Sequence, residues 1–303
     1  MRKLLPLLGT CLMVAACTGA GAGSPTPAVS PTPPATPVVT AGYNVATDPN
    51  KLILRIATGG GLIRPNYALT TVPEFALYGD GRLIVPGPAA AIYPGPLLPN
   101  LLVMRVTPAD IQKVVAAADE AGLLGPDARF DAGGITDAGT TVFTTIVDGK
   151  VHRIGAYALS AAGDIGGRPN GSPTIDAARA KLAQFWTKMS NLTVFLGRPV
   201  SDTEAYVPAG MRVFVSDVGA ADPAQPTGQV VAWPLSGDPA GIGQPTTVQG
   251  TVCVALTGSD LSSFLAAART ANAATVWTHG SARYAVSARP LYPNESSCSG
   301  GTL

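Results

Sequence analysis

Apolar positions fall in short runs punctuated by Gly, Asp and Pro. Pro73-Glu-Phe-Ala-Leu-Tyr78 and Arg82-Leu-Ile-Val85 flank Gly79-Asp-Gly81. Two apolar runs around an Asp-Gly turn predict a β-hairpin. Residues 140–147 and 150–157 flank Asp148-Gly149 and predict a second one. Between them the period changes. Ile111, Val114, Val115 and Ala118 recur at helical spacing. Thr107 suits the N-cap, Pro108 the first turn and Asp110 a Thr-x-x-Asp box, while Gly122 suits the stop.

The same pattern returns 150 residues on. Thr257-Gly-Ser-Asp260 matches Thr107-Pro-Ala-Asp110, and Leu261, Phe264 and Leu265 match Ile111, Val114 and Val115. A strand precedes each helix, residues 101–106 and 251–256, which favours duplication over chance. A third stripe, Ile175, Ala178, Leu182, Phe185 and Met189, predicts a helix over about 174–190, after loop-like residues 163–172. The predicted fold is α+β: two similar halves, each an antiparallel sheet with one packed helix, joined by that third helix as a bridge.

The amino terminus carries an address. Arg2 and Lys3 precede an apolar run ending in Val14-Ala15-Ala16-Cys17. The run has signal-peptide length and is too short to span a bilayer, which takes about 20 residues. Small residues before a cysteine resemble a lipobox, with Val14 where the pattern often has Leu. That resemblance implies diacylglyceryl attachment to Cys17; an ordinary secretory signal is the alternative. From Thr18 to about Gly42 the chain is almost all Gly, Ala, Ser, Thr and Pro, which predicts a disordered tether reaching roughly 80 Å. The resulting division is signal 1–16, lipidated cysteine and tether 17–50, first α+β half 51–165, linker and bridging helix 166–195, and second half 196–303. The expected location is the extracytoplasmic face of the cell membrane, held by lipid.

Charge narrows the partners. The formal net charge is +1 and only 13% of residues are charged, with no basic run, so nucleic acid is excluded as a partner. Loss of Arg2 and Lys3 turns the charge to −1, leaving anionic lipid no extra hold. Cys11 leaves with the signal. Cys253 and Cys298 then form an even pair in an exported chain and predict a disulfide that pins the carboxyl-terminal tail to a strand near 250–256. A zinc or thiol-redox pair is the rival, but there is no Cys-x-x-Cys and the histidines are two, His152 and His279.

Ile53 to Thr58 with Gly59-Gly-Gly61, Pro73 to Ile84, and Thr107 to Leu124 together resemble a group of uncharacterised exported lipoproteins of high-GC Gram-positive bacteria. The likeness runs over about residues 50–160 and extends less closely beyond. It implies an envelope location and an α+β fold, and it brings no activity.

Catalytic signatures are absent: there is no Gly-x-Ser-x-Gly, His-Glu-x-x-His or Walker pattern. His152 and His279 could act as bases, but satisfied or surface histidines are commoner. Gly59–Gly61 could present N–H groups to an anion, against the commoner bulge or turn. Asp127, Asp131 and Asp137 could ligate calcium, although their spacing is not that of an EF-hand and solvated loop acids explain them as well. Glu74, Asp80 and Asp137 are the acids available for glycan hydrolysis. Trp186, Trp233, Trp277, Tyr67, Tyr78 and Tyr93 could line a groove or fill the core. The Pro-rich loop from Val85 to Pro99 must pack across its own domain or meet a partner. No cofactor is implied. The expected function is a non-catalytic ectodomain that binds a protein or small ligand, with an envelope hydrolase of glycan or peptide as the alternative.

Overall fold

The computed structural model describes residues 42–132, 134–160, 163–164, 172–220 and 228–299. The signal, Cys17 and most of the tether therefore lie outside the described residues. The first half runs β1 (Leu52–Gly59), α1 (Pro65–Thr70), β2 (Phe75–Tyr78), β3 (Arg82–Pro86), β4 (Leu101–Arg105), α2 (Pro108–Glu120), β5 (Ala128–Phe130), β6 (Thr140–Val147) and β7 (Lys150–Tyr157). A small pair follows, β8 (Leu159–Ser160) and β9 (Gly163–Asp164), and β9 occupies the start of the stretch expected to be loop. Then come α3 (Pro173–Ser190), α4 (Leu192–Leu196) and β10 (Glu204–Ala205). The second half runs β11 (Gly210–Asp217), β12 (Val230–Ala232), α5 (Pro239–Ile242), β13 (Gln244–Pro245), β14 (Thr251–Thr257), α6 (Gly258–Ala268), β15 (Val276–His279) and β16 (Ala282–Pro290).

Both predicted hairpins form. Asp148 and Gly149 take φ of 53° and 72° between β6 and β7, the two left-handed residues that match a hairpin turn to strand twist. At the other turn Gly81 has φ 82°, and a Cβ there would lie 2.3 Å from the carbonyl oxygen of Val106. Only glycine fits. Helix α2 opens on the expected capping box: the Thr107 side chain accepts from the Asp110 N–H, and the Asp110 carboxylate accepts from the Thr107 N–H at 2.8 Å. Arg198 pairs with the same buried carboxylate.

The strands assemble into an eight-stranded sheet, β10-β4-β3-β2-β1-β6-β7-β5, and a six-stranded sheet, β12-β15-β16-β11-β14-β13. The fold is thus α+β with two sheet-rich halves. Neither sheet is wholly antiparallel, since β5 runs parallel to β7 and β12 parallel to β15 at the edges. The two strand–helix units also sit differently. β14 pairs directly with β11, whereas two strands separate β4 from β1. At α6, Thr257 makes no side-chain cap, and the next residue, Gly258, has φ 57°.

The third helix is not a bridge. Leu182, Phe185, Trp186 and Met189 of α3 join the core that α2 forms with the first sheet. Phe143 meets Phe185 and Trp186 edge-on, with centroids 6.0 and 6.3 Å apart. More than one helix therefore covers this sheet, and Leu192 and Leu196 of α4 join the same core. The second sheet packs Met211, Val213 and Val286 against Phe264 of α6, with Trp233 and Trp277 beside it. What joins the halves is reciprocal insertion. The loop before β4 sends Leu97 into the second core, where the Ala273 N–H donates to the Gly95 carbonyl at 2.9 Å. The carboxyl-terminal tail sends Tyr292 onto Leu52, Tyr78 and Ile84 of the first sheet, stacked on Tyr206 at 6.1 Å. Residues 41–303 make one compact unit.

Candidate functional site

Each sheet turns one face to its helices and the other to the opposite half. Strand alternation decides which side chains meet there. Phe143 and Val147 of β6 face the helices, so Val142 and Thr144 face the seam. Met211, Val213 and Val215 of β11 face α6, so Arg212 and Phe214 face the seam. Val142, Arg212 and Phe214 accordingly line one cavity of about 430 Å³. That cavity shares Gly59, Gly60 and Thr71 with a second of about 440 Å³. The second shares Tyr67, Thr70, Pro96 and Leu97 with a third of about 680 Å³. The three form one groove from the disulfide to the loop that carries Leu97.

A charged cluster sits at the disulfide end. Arg212 and Arg289 are direct cross-strand partners on β11 and β16, and both are about 95% buried. Arg289 donates to both oxygens of Glu295 at 2.9 Å, and Arg212 lies 3.7 Å from the same carboxylate. The Arg212 Nε–H donates to the Ser297 carbonyl at 2.7 Å, and Glu295 also accepts from the Tyr292 N–H. Burial, and then the like charge of Arg289, pull the Arg212 guanidinium below its ordinary value. Arg55 of the first sheet feels the attraction of Glu295 and the repulsion of Arg289. Its Nε, the Thr144 hydroxyl and the Tyr292 hydroxyl are buried with no hydrogen-bond partner among the described residues. Burial also pushes the Tyr206 hydroxyl up to about 12; it donates to the Leu291 carbonyl at 2.7 Å.

The disulfide forms as expected between Cys253 on β14 and Cys298 in the tail. Both cysteines line the first cavity. Gly59–Gly61 close β1 with a turn in which Gly60 and Gly61 take φ of 77° and 79°, and the first two of the triplet border the groove.

The proposed metal-binding carboxylates do not meet. Asp127 accepts from the Arg153 N–H at 2.8 Å, Asp131 pairs with Arg129, and Asp137 sits in a left-handed turn at φ 60°. No group of three metal-ligating side chains occurs among the described residues. Glu74 and Asp80 lie beyond opposite ends of β2, and Asp80 is bound to Arg82 at 2.6 Å. His152 Nδ1 is 2.8 Å from the Gly125 carbonyl oxygen, and His279 ends β15 before the Gly280 turn. The three tryptophans and Tyr78 are buried in the cores, while Tyr67 and Tyr93 are exposed. Tyr67 alone of the six lines the groove.

Glu74 borders the middle cavity, and its carboxylate accepts from the Thr58 N–H at 3.0 Å. Burial raises its pKa despite that bond. The folded chain therefore holds this proton more tightly than the unfolded one, and stability falls as pH rises above the ordinary carboxylate range. Glu74→Gln is expected to remove that slope, so the variant gains on wild type as pH rises above about 4.5 in urea unfolding. Parallel pH profiles would count against it.

The arginine cluster was missed in the sequence, yet it left a signal. Arg212 interrupts Met211 to Val215, a strand apolar on both faces, and Arg289 stands between Ala288 and Pro290. A charge inside such a run has no apolar partner and implies a built polar environment. No helix among the described residues is long and apolar enough to cross a membrane. No family model, curated protein or solved structure matches this chain.

Proposed function

We propose that this chain is a lipoprotein, anchored through Cys17 on the extracytoplasmic face of the membrane, whose ectodomain binds a small ligand without catalysis. The groove between the sheets carries the reading: it is recessed, lined by both halves, largely apolar and furnished with a few convergent polar groups. A protein-binding face would instead spread exposed apolar residues across both halves. Of the large apolar side chains exposed on either half, Ile63 and Tyr67 line this groove, and both belong to the first half. The lipobox and the resemblance to exported lipoproteins support the location.

Native mass spectrometry of the mature protein extracted from envelopes is expected to show a retained small molecule. Val142→Trp, which fills the groove wall, is expected to abolish that adduct. A bare chain mass, together with one stoichiometric protein in cellular crosslinking, would replace this reading with an interaction module. Cys17→Ala is expected to release the protein to the medium, with loss of the diacylglyceryl mass. An unmodified, secreted wild type would sink the anchor.

A further inference from the structure

The charges that border the groove are already spent on the fold. Among the described residues, the charged side chains lining it are Arg64, Glu74, Arg212 and Arg289. Arg289 commits both terminal nitrogens, to Glu295 and the Pro290 carbonyl, and Arg212 is held by the Ser297 carbonyl and Glu295. The Glu74 carboxylate accepts from the Thr58 N–H, and burial pushes its pKa up. Arg64 stands exposed at the Leu97 end, in water. A charge carried into the groove would therefore meet no opposite charge, and burying an ionised group without a partner is costly.

The rest of the lining is apolar or polar without charge. The first half supplies Ala68, Leu69 and Val142, and the second half faces them with Phe214. Around Phe214 stand Ser287 of β16 and, from β13 and the segment that leads into β14, Gln244, Thr247 and Gln249. These four form no side-chain hydrogen bond among the described residues. Hydroxyls and side-chain amides both donate and accept, so they meet a neutral polar group in either sense.

We infer that the ligand of this groove is an uncharged amphipathic molecule, an apolar body carrying hydroxyl, carbonyl or amide groups. The inference rests on the groove being a ligand site. The apolar body covers Leu69, Val142 and Phe214, and the neutral groups exchange hydrogen bonds with the Gln244-to-Gln249 segment in place of water. A carboxylate or an ammonium would give up its hydration and gain no ion pair in return.

The compact unit, residues 41–303, is the protein for the test. The probes are octanoylglycerol, octanoate and octyltrimethylammonium, which carry alkyl chains of similar length and differ in charge. Titration calorimetry at pH 7 compares them. Octanoylglycerol is expected to bind saturably at one site, tighter than either ion by about tenfold or more. Val142→Trp should lose octanoylglycerol while keeping its melting temperature. If that variant fails to fold, Ala68→Trp, at an exposed helix position on the same cavity, is expected to show the same loss. Either ion binding as tightly as octanoylglycerol overturns the uncharged ligand and leaves the groove standing. Saturable octanoylglycerol binding that survives the wall variants places the site elsewhere and overturns the inference. No binding by any probe at millimolar concentration also overturns it; the groove reading then stands or falls on the molecule retained in native mass spectrometry.

Discussion

Glu295→Ala is expected to lower the unfolding free energy by about 3–5 kcal/mol, the cost of leaving a buried charge without its partner. The side chains of Arg212, Arg289 and Glu295 are each exposed by only about 5 or 6%, so water screens the cluster little. Removing the carboxylate leaves Arg289 without the group that it grips with two nitrogens. Replacing all three residues together, Arg212→Met, Arg289→Met and Glu295→Leu, is expected to cost far less, since buried ion clusters are often exchanged for apolar residues near neutrally. Urea unfolding at pH 7 measures both. A single-variant loss under about 1 kcal/mol, or a triple variant as unstable as the single, would show that the cluster is not held as a buried unit.

The second large effect is on the disulfide. Cys253 and Cys298 are separated by 45 positions, and closing such a loop is worth about 4 kcal/mol in the chain-entropy model. Cys253→Ser with Cys298→Ser is expected to lose most of that. The bond also holds the tail in which Glu295 meets Arg289 and the Ser297 carbonyl meets Arg212. Combined with Glu295→Ala, the loss should therefore fall short of the sum by about 0.5–3 kcal/mol, the range of residues that share one network. Strict additivity would mean that the tail stays in place without its sulfur bond.

Local chemistry made much of this fold legible. Both Asp-Gly hairpins, the Thr107–Asp110 box and the Cys253–Cys298 pair lie where residue type and spacing put them. Each depends on neighbours within a few positions or, for the disulfide, on counting. The misassigned features depend on what packs against what. The stripe of α3 reads as an amphipathic face, but nothing in Leu182 or Phe185 says which sheet it covers. The likeness of Thr257-Gly-Ser-Asp260 to a capping box stops at residue type, because Gly258 takes a left-handed φ and Thr257 does not cap. The groove was the least legible part. Its walls come from β6, β11 and β16, and Arg212 and Arg289 are 77 positions apart. Only their intrusion into apolar runs could have marked them.

The exchange of Leu97 for Tyr292 has an evolutionary consequence. A half excised at the α4–β10 connection would carry away a side chain that belongs in its neighbour's interior and would leave behind one that belongs in its own. Neither half is then a portable module, and recombination that swapped one alone into another gene would deliver an unfinished protein. Whatever its origin, the pair can now be inherited only whole.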